Sequence, residues 1–101
     1  MGRSSLSHFE LLVLLALMRV GEDAYGVPIC HEIEACTGRE VALGGVYATL
    51  ERLEARGLVS SSLGDPTPER GGRAKRYFRV TAKGLREVRA TQRSLVRLWQ
   101  G

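Results

Sequence analysis

The amino-acid sequence predicts a mainly α chain with a small β-hairpin, a winged helix-turn-helix followed by a C-terminal dimerisation helix. Two observations carry that expectation. Three helix-patterned segments precede two strand-patterned ones, and the strands flank GDPTPERGGRAK, where two prolines, three glycines and crowded charge exclude regular structure. The last segment then repeats its stripe residues at alternating spacings of three and four, the period of one helix packed on another. With 101 residues there is material for one domain and one core. Within that compact unit, residues 1–81 should form the winged helix-turn-helix head and residues 82–101 the dimerisation helix.

The first helix should span about His8 to Val20. In LSHFEL, Ser7 can cap it, Glu10 can reciprocate three residues later, and Leu6 with Leu11 can staple its entry. Apolar residues then run nearly all round, which predicts the central buried helix. The run LLVLLALM, Leu11 to Met18, is far short of a membrane span and no small-residue cleavage site follows, so a folded cytoplasmic helix is the expectation. GEDAYG breaks the pattern. The second helix lies within Ala24 to Thr37 and starts near Tyr25, because Pro28 is tolerable only in a first turn. Ile29, Ile33 and Cys36 share its inward face, and Gly38 suits its C-terminal end.

The third helix reads as Gly44 to Arg56, stopped by Gly57, with Val46, Leu50 and Leu53 inward. LVSSSL (Leu58 to Leu63) and RYFRVT (Arg76 to Thr81) are the strand candidates, the second β-branched and aromatic. Thr81 can cap the last helix, about Ala82 to Trp99. Its stripe is Leu85, Val88, Gln92, Leu95 and Trp99, longer than a small head can cover, which marks it as the seam of a homodimer.

Charge is divided along the chain. Residues 1–40 hold 3 Lys/Arg against 6 Asp/Glu, and residues 41–101 hold 12 against 5, so a net +4 conceals a −3 half and a +7 half. That asymmetry suggests a polyanion bound on one side.

The third helix repays a closer look. A surface helix normally covers its outward side with long charged side chains, yet GGVYATLERLEARGLV opens on Gly44 and Gly45 and places Ala48 and Ala55 outward. Small residues at a helix start let the backbone approach a groove floor, and the free N–H groups and dipole there favour phosphate. Tyr47, Thr49 and Arg52 lie on the flanks, able to reach phosphates and base edges. For Tyr47 the alternative is a half-buried core edge; for Arg52 it is a solvated charge or a pair with Glu51 or Glu54. In the wing, Arg70, Arg73, Lys75, Arg76 and Arg79 crowd a glycine-loosened loop, a repulsion that a polyanion relieves.

The blocks YGVPICHEIEACTG, GGVYATLERLEARGLV and RAKRYFRVTAKGL, together spanning most of the chain, resemble the PadR family of bacterial transcriptional regulators, in its short subfamily with a single C-terminal helix. The resemblance implies a homodimer with two winged heads, repressing from a near-palindromic, inverted-repeat operator of double-stranded DNA. It places Tyr47 at a recognition-helix tyrosine that touches DNA backbone, Tyr25 at a phosphate contact, and Arg73, Lys75 and Arg76 on the wing. It also implies a planar aromatic effector held between tryptophans at the dimer interface, where Trp99 stands; packing of the interface alone is the other role open to Trp99.

No cofactor or metal is expected. Cys30 and Cys36 lack CxxC spacing and read as buried thiols, and Cys30 and His31, adjacent on a helix, diverge by about 100° and chelate poorly. An enzyme is not expected either, since no phosphate loop, nucleophile–base pair or paired carboxylates stand out. The rival reading is a winged-helix module for protein–protein contact, which predicts a neutral or acidic wing.

Overall fold

The computed structural model describes residues 6–64 and 75–100. They form α1 (His8–Val20), α2 (Gly26–Thr37), α3 (Leu43–Ala55), β1 (Val59–Leu63), β2 (Arg76–Val80) and α4 (Ala82–Gln100). This is the mainly α architecture with one hairpin that the sequence predicts.

Helix α1 starts where its capping box closes. The Ser7 N–H donates to Glu10 Oε1 at 2.9 Å, and the Glu10 N–H donates to Ser7 Oγ at 3.1 Å. Val13, Leu14, Ala16 and Leu17 are buried, but Leu15 and Met18 are each 40% exposed, so α1 covers the core with one broad face and is not enclosed. Helix α2 begins after Tyr25 with Pro28 in its first turn, and it closes on Gly38, whose φ of 76° is the left-handed conformation that glycine accepts freely. Ile29 and Ile33 are buried. Cys36 is exposed rather than buried, because the last turn of α2 runs past the core, and its thiol donates to Glu32 Oε2 at 3.4 Å.

Helix α3 starts one residue earlier than its glycines suggest, at Leu43, and lays Val46, Leu50 and Leu53 on the core. The antiparallel hairpin pairs Val59 with Val80 through Leu63 with Arg76, and the Gly64 N–H donates to Lys75 O at 2.7 Å just beyond it. The far edge of β2 is also used, since the Phe78 N–H donates to Ala24 O at 2.8 Å. This bond ties the wing to the α1–α2 connection.

Thr81 caps α4 by accepting from the Gly84 N–H at 3.0 Å. Gly84 lies so close to β1 that a Cβ there would collide with the Leu58 carbonyl oxygen. Val88 is the last residue of α4 buried against the head, and every residue from Gln92 to Gln100 is exposed.

Candidate nucleic-acid interface

Three chain segments meet on one side of the head: the start of α2, the start of α3 and the root of the wing. Tyr47 joins the first two. Its hydroxyl accepts from the Gly26 N–H at 3.2 Å, and its ring lies over Gly26, where a Cβ would stand 2.5 Å from Tyr47 Cε2. The Tyr47 ring reaches inward as well, to 6.2 Å from the Phe78 ring. Tyr47 is therefore a half-buried core edge whose phenolic hydrogen is left to donate outward.

Tyr25 joins α2 to the wing. The Lys75 ammonium sits 3.6 Å above its ring, and the Tyr77 ring meets it edge-on at 5.9 Å. Gly64 leaves room for Tyr77, since a Cβ there would lie 2.5 Å from Tyr77 Cε2. Lys75 thus stands beside the start of α2, which Tyr47 in turn connects to the start of α3.

Between these anchors, α3 shows bare backbone. Gly44, Gly45 and Ala48 are exposed, and a Cβ on either glycine would meet nothing within 4 Å. Ala42, the N-cap residue of α3, offers its helix no side-chain cap, and Tyr25 offers none to α2. The first-turn N–H groups of α3 thus face outward together with the positive end of its dipole, a ready anion site.

Two residues placed on this surface from sequence belong elsewhere. Thr49 is 1% exposed: it falls in the inward stripe between Val46 and Leu50/Leu53, its hydroxyl accepting from Arg52 Nη2 at 3.0 Å. Arg76 is turned to the head, donating to Glu54 Oε1 at 2.6 Å and to Ser61 Oγ at 3.1 Å. Arg52 remains exposed; it pairs with neither Glu51 nor Glu54 but reaches Glu10 at 3.9 Å. Arg70 and Arg73 lie outside the described residues.

Glu10, unassigned beyond its cap, ties the start of α1 to Arg52 and Arg56 at the end of α3. It is 8% exposed and accepts from Arg56 Nη1 at 3.2 Å. Burial pushes its carboxyl up, but the Ser7 N–H and the guanidinium groups of Arg56 and Arg52 outweigh that and hold it below the usual range. The role of Gly26 was also not read from sequence, although its adjacency to Tyr25 at a helix start was the available signal.

On α4, Val88 is 4% exposed and belongs to the core of the head, which removes it from the seam; Leu85 is half-buried. Gln92, Leu95 and Trp99 are exposed, joined by Val96 and Leu98, which a single-stripe reading passes over. Leu95, Val96, Leu98 and Trp99 line one shallow apolar surface. Among the described residues no group of three or more His, Cys, Asp and Glu could hold a metal ion. Cys30 is half-buried, and burial together with Glu34 pushes its thiol up, away from the reactive thiolate. Among the described residues no helix is long and apolar enough to cross a membrane.

Solved structures share this fold. A PadR family transcriptional regulator from Eggerthella lenta is 30% identical, with a TM-score of 0.72 over 89% of this chain and 76% of that one. A PadR-like transcription factor from Bacteroides fragilis is 24% identical, with a TM-score of 0.78 over 91% of this chain and 84% of that one. A transcriptional regulator from Clostridium thermocellum is 22% identical, with a TM-score of 0.74 over 90% and 85%. No curated protein sequence is close enough to count as a relative. The sequence pattern of the Transcriptional regulator PadR-like family matches residues 13–90, most of the chain from the core of α1 to the middle of α4, and the chain belongs to that family.

Proposed function

We propose that this chain is a cytoplasmic regulator that binds duplex DNA as a homodimer at an inverted-repeat operator and represses transcription there. The observation that carries the reading is the bare start of α3, Gly44, Gly45 and Ala48, exposed beside Tyr25, Tyr47 and Lys75. A helix that presents backbone where others present long side chains fits the floor of a major groove, with Lys75 and the hydroxyls of Tyr25 and Tyr47 for the flanking phosphates. The apolar surface of α4 supplies the pairing element. Two heads related by a two-fold axis read two half-sites in opposite directions, so the operator is an inverted repeat with half-sites about one helical turn apart. Repression follows where such a site overlaps a promoter.

Trp99 is 90% exposed beside Leu95 and Leu98. Across the two-fold axis a pair of such rings would hold a planar aromatic effector, whose binding releases the operator. Trp99 is the single tryptophan, so its fluorescence reports occupancy directly.

Duplex titration at several salt concentrations tests the DNA-binding reading. The expected result is a steep fall of affinity with salt, and Lys75→Ala should reduce the slope of log K against log salt by about 0.9. Salt-independent or absent duplex binding would favour a module for protein–protein contact instead.

A further inference from the structure

We propose that Arg76 is a positioning residue: with Glu54 and Ser61 it fixes the angle of the wing against α3, and so the distance between Lys75 and the exposed start of α3. The inference rests on the DNA-binding reading and adds to it a residue pair whose role is orientation.

One guanidinium and two oxygen-bearing side chains close a ring over three elements. Arg76, first in β2, donates through Nη2 to Glu54 Oε1 of α3 at 2.6 Å and through Nε to Ser61 Oγ of β1 at 3.1 Å. The Ser61 hydroxyl donates in turn to Glu54 Oε2 at 2.7 Å. Beneath the ring lies Phe78, its ring centre 5.3 Å from Arg76 Cζ, and Glu51 stands 3.9 Å from Nη1. Strand register explains the assembly: Arg76 and Phe78 are two apart on β2, hence on one face, and Ser61 pairs with Phe78.

The position of the ring gives it leverage. Arg76 pairs with Leu63 at the last register step before Gly64 and Lys75, so it sits where the wing leaves the head. Lys75, its neighbour, is held on Tyr25 at the start of α2. Adjacent cations thus grip two different helices, and the wing root has little freedom to rotate. The Arg76 side chain is 41% exposed, yet three of its nitrogens already face protein oxygens, which leaves it poorly placed to serve a phosphate. Lysine cannot substitute, because the ring needs two donors at the fixed spacing of a guanidinium fork.

Glu54 makes the idea testable by sign. Removing a carboxylate near a DNA-binding surface ordinarily strengthens binding to a polyanion, since repulsion falls. If Glu54 orients the wing, Glu54→Gln in the full-length chain should instead weaken binding to a fixed duplex by about tenfold, the scale of one lost charge-assisted hydrogen bond. Arg76→Ala and Arg76→Lys should weaken it similarly without changing the salt slope. Tighter binding by Glu54→Gln, or a slope reduced by about 0.9 in Arg76→Ala, would make Arg76 a phosphate ligand and overturn the inference alone. Absence of salt-sensitive binding by the unsubstituted chain would overturn the DNA-binding reading and this inference with it. Circular dichroism melts accompany each variant, and if Arg76→Ala does not fold, the near-isosteric Glu54→Gln decides.

Discussion

The hydroxyl of Tyr47 accepts a hydrogen bond from the Gly26 backbone N–H at 3.2 Å, and the tyrosine ring occupies the space a Gly26 side chain would need. One contact therefore does two jobs. It satisfies an otherwise open N–H at the start of α2, where Tyr25 provides no side-chain cap, and it sets how closely α2 and α3 approach. The turn between the helices, Gly38 to Ala42, need not be rigid by itself for the two helix starts to keep their relation.

Gly26→Ala is therefore expected to destabilise the fold. Its Cβ would stand 2.5 Å from Tyr47 Cε2 and 2.8 Å from Leu43 Cδ1, so the ring must move and its hydrogen bond lengthen. The loss should be about 1–3 kcal/mol, as for other overpacked sites, and Tyr47→Phe alone should cost about 0.5–1.5 kcal/mol. Urea unfolding of both single variants and the double variant checks this. The combined loss should fall short of the sum, because Gly26→Ala already breaks the bond that Tyr47→Phe removes.

Gly44→Ala and Gly45→Ala should behave in the opposite way. Neither Cβ would meet any atom within 4 Å, and neither glycine has positive φ, so alanine is compatible with the helix and reduces the freedom of the unfolded chain. Each should raise stability by about 0.4–1 kcal/mol in urea unfolding while weakening duplex binding, since the added methyl projects toward the groove. Raised stability with unchanged DNA affinity would mean that the start of α3 does not approach DNA.

Comparison of sequence and structure separates local from tertiary information. The ends of α1 and α2 were legible because Ser7, Glu10, Pro28 and Gly38 act on the backbone within a turn or so of themselves. Thr49 was misplaced because a hydroxyl inside an apolar stripe resembles a flank residue. Helical period does place it inward, three residues after Val46 and four before Leu53, and Arg52 satisfies its hydroxyl there. Arg76 was assigned to DNA because its neighbours in sequence are cationic, whereas its partner Glu54 lies 22 residues away and meets it only once the hairpin folds back. Val88 continues the α4 stripe without a break, and only the position of the head decides where core ends and seam begins.

Acid should reveal Glu10. Its folded carboxyl lies below the usual 4.5, because the Ser7 N–H, Arg56 and Arg52 together outweigh burial. The unfolded chain therefore binds this proton more readily than the folded one. Stability from ionised Glu10 is complete above the ordinary carboxylate range and is lost as pH falls through the lowered folded value. Glu10→Gln should cost about 1–3 kcal/mol at pH 7, and much less at a pH below that folded value, where the native carboxyl is protonated too. Urea midpoints of both proteins across an acid series check the convergence; parallel curves would show that Glu10 contributes through its shape and not its charge.

Aspartate scanning of α4 should divide the helix at a single turn. Val88 is 4% exposed in the head, so Val88→Asp buries a carboxylate without a partner and should unfold or severely destabilise the chain at any concentration. Leu95 is 51% exposed, two turns further on, so Leu95→Asp leaves the head's own contacts untouched. If the apolar surface of Leu95, Val96, Leu98 and Trp99 is the pairing element, that variant keeps its helical signal but sediments as a monomer. Its duplex affinity then falls steeply for a two-half-site operator and little for one half-site, because only a dimer gains from the second site. A Leu95→Asp protein that still sediments as a dimer would move the interface off α4.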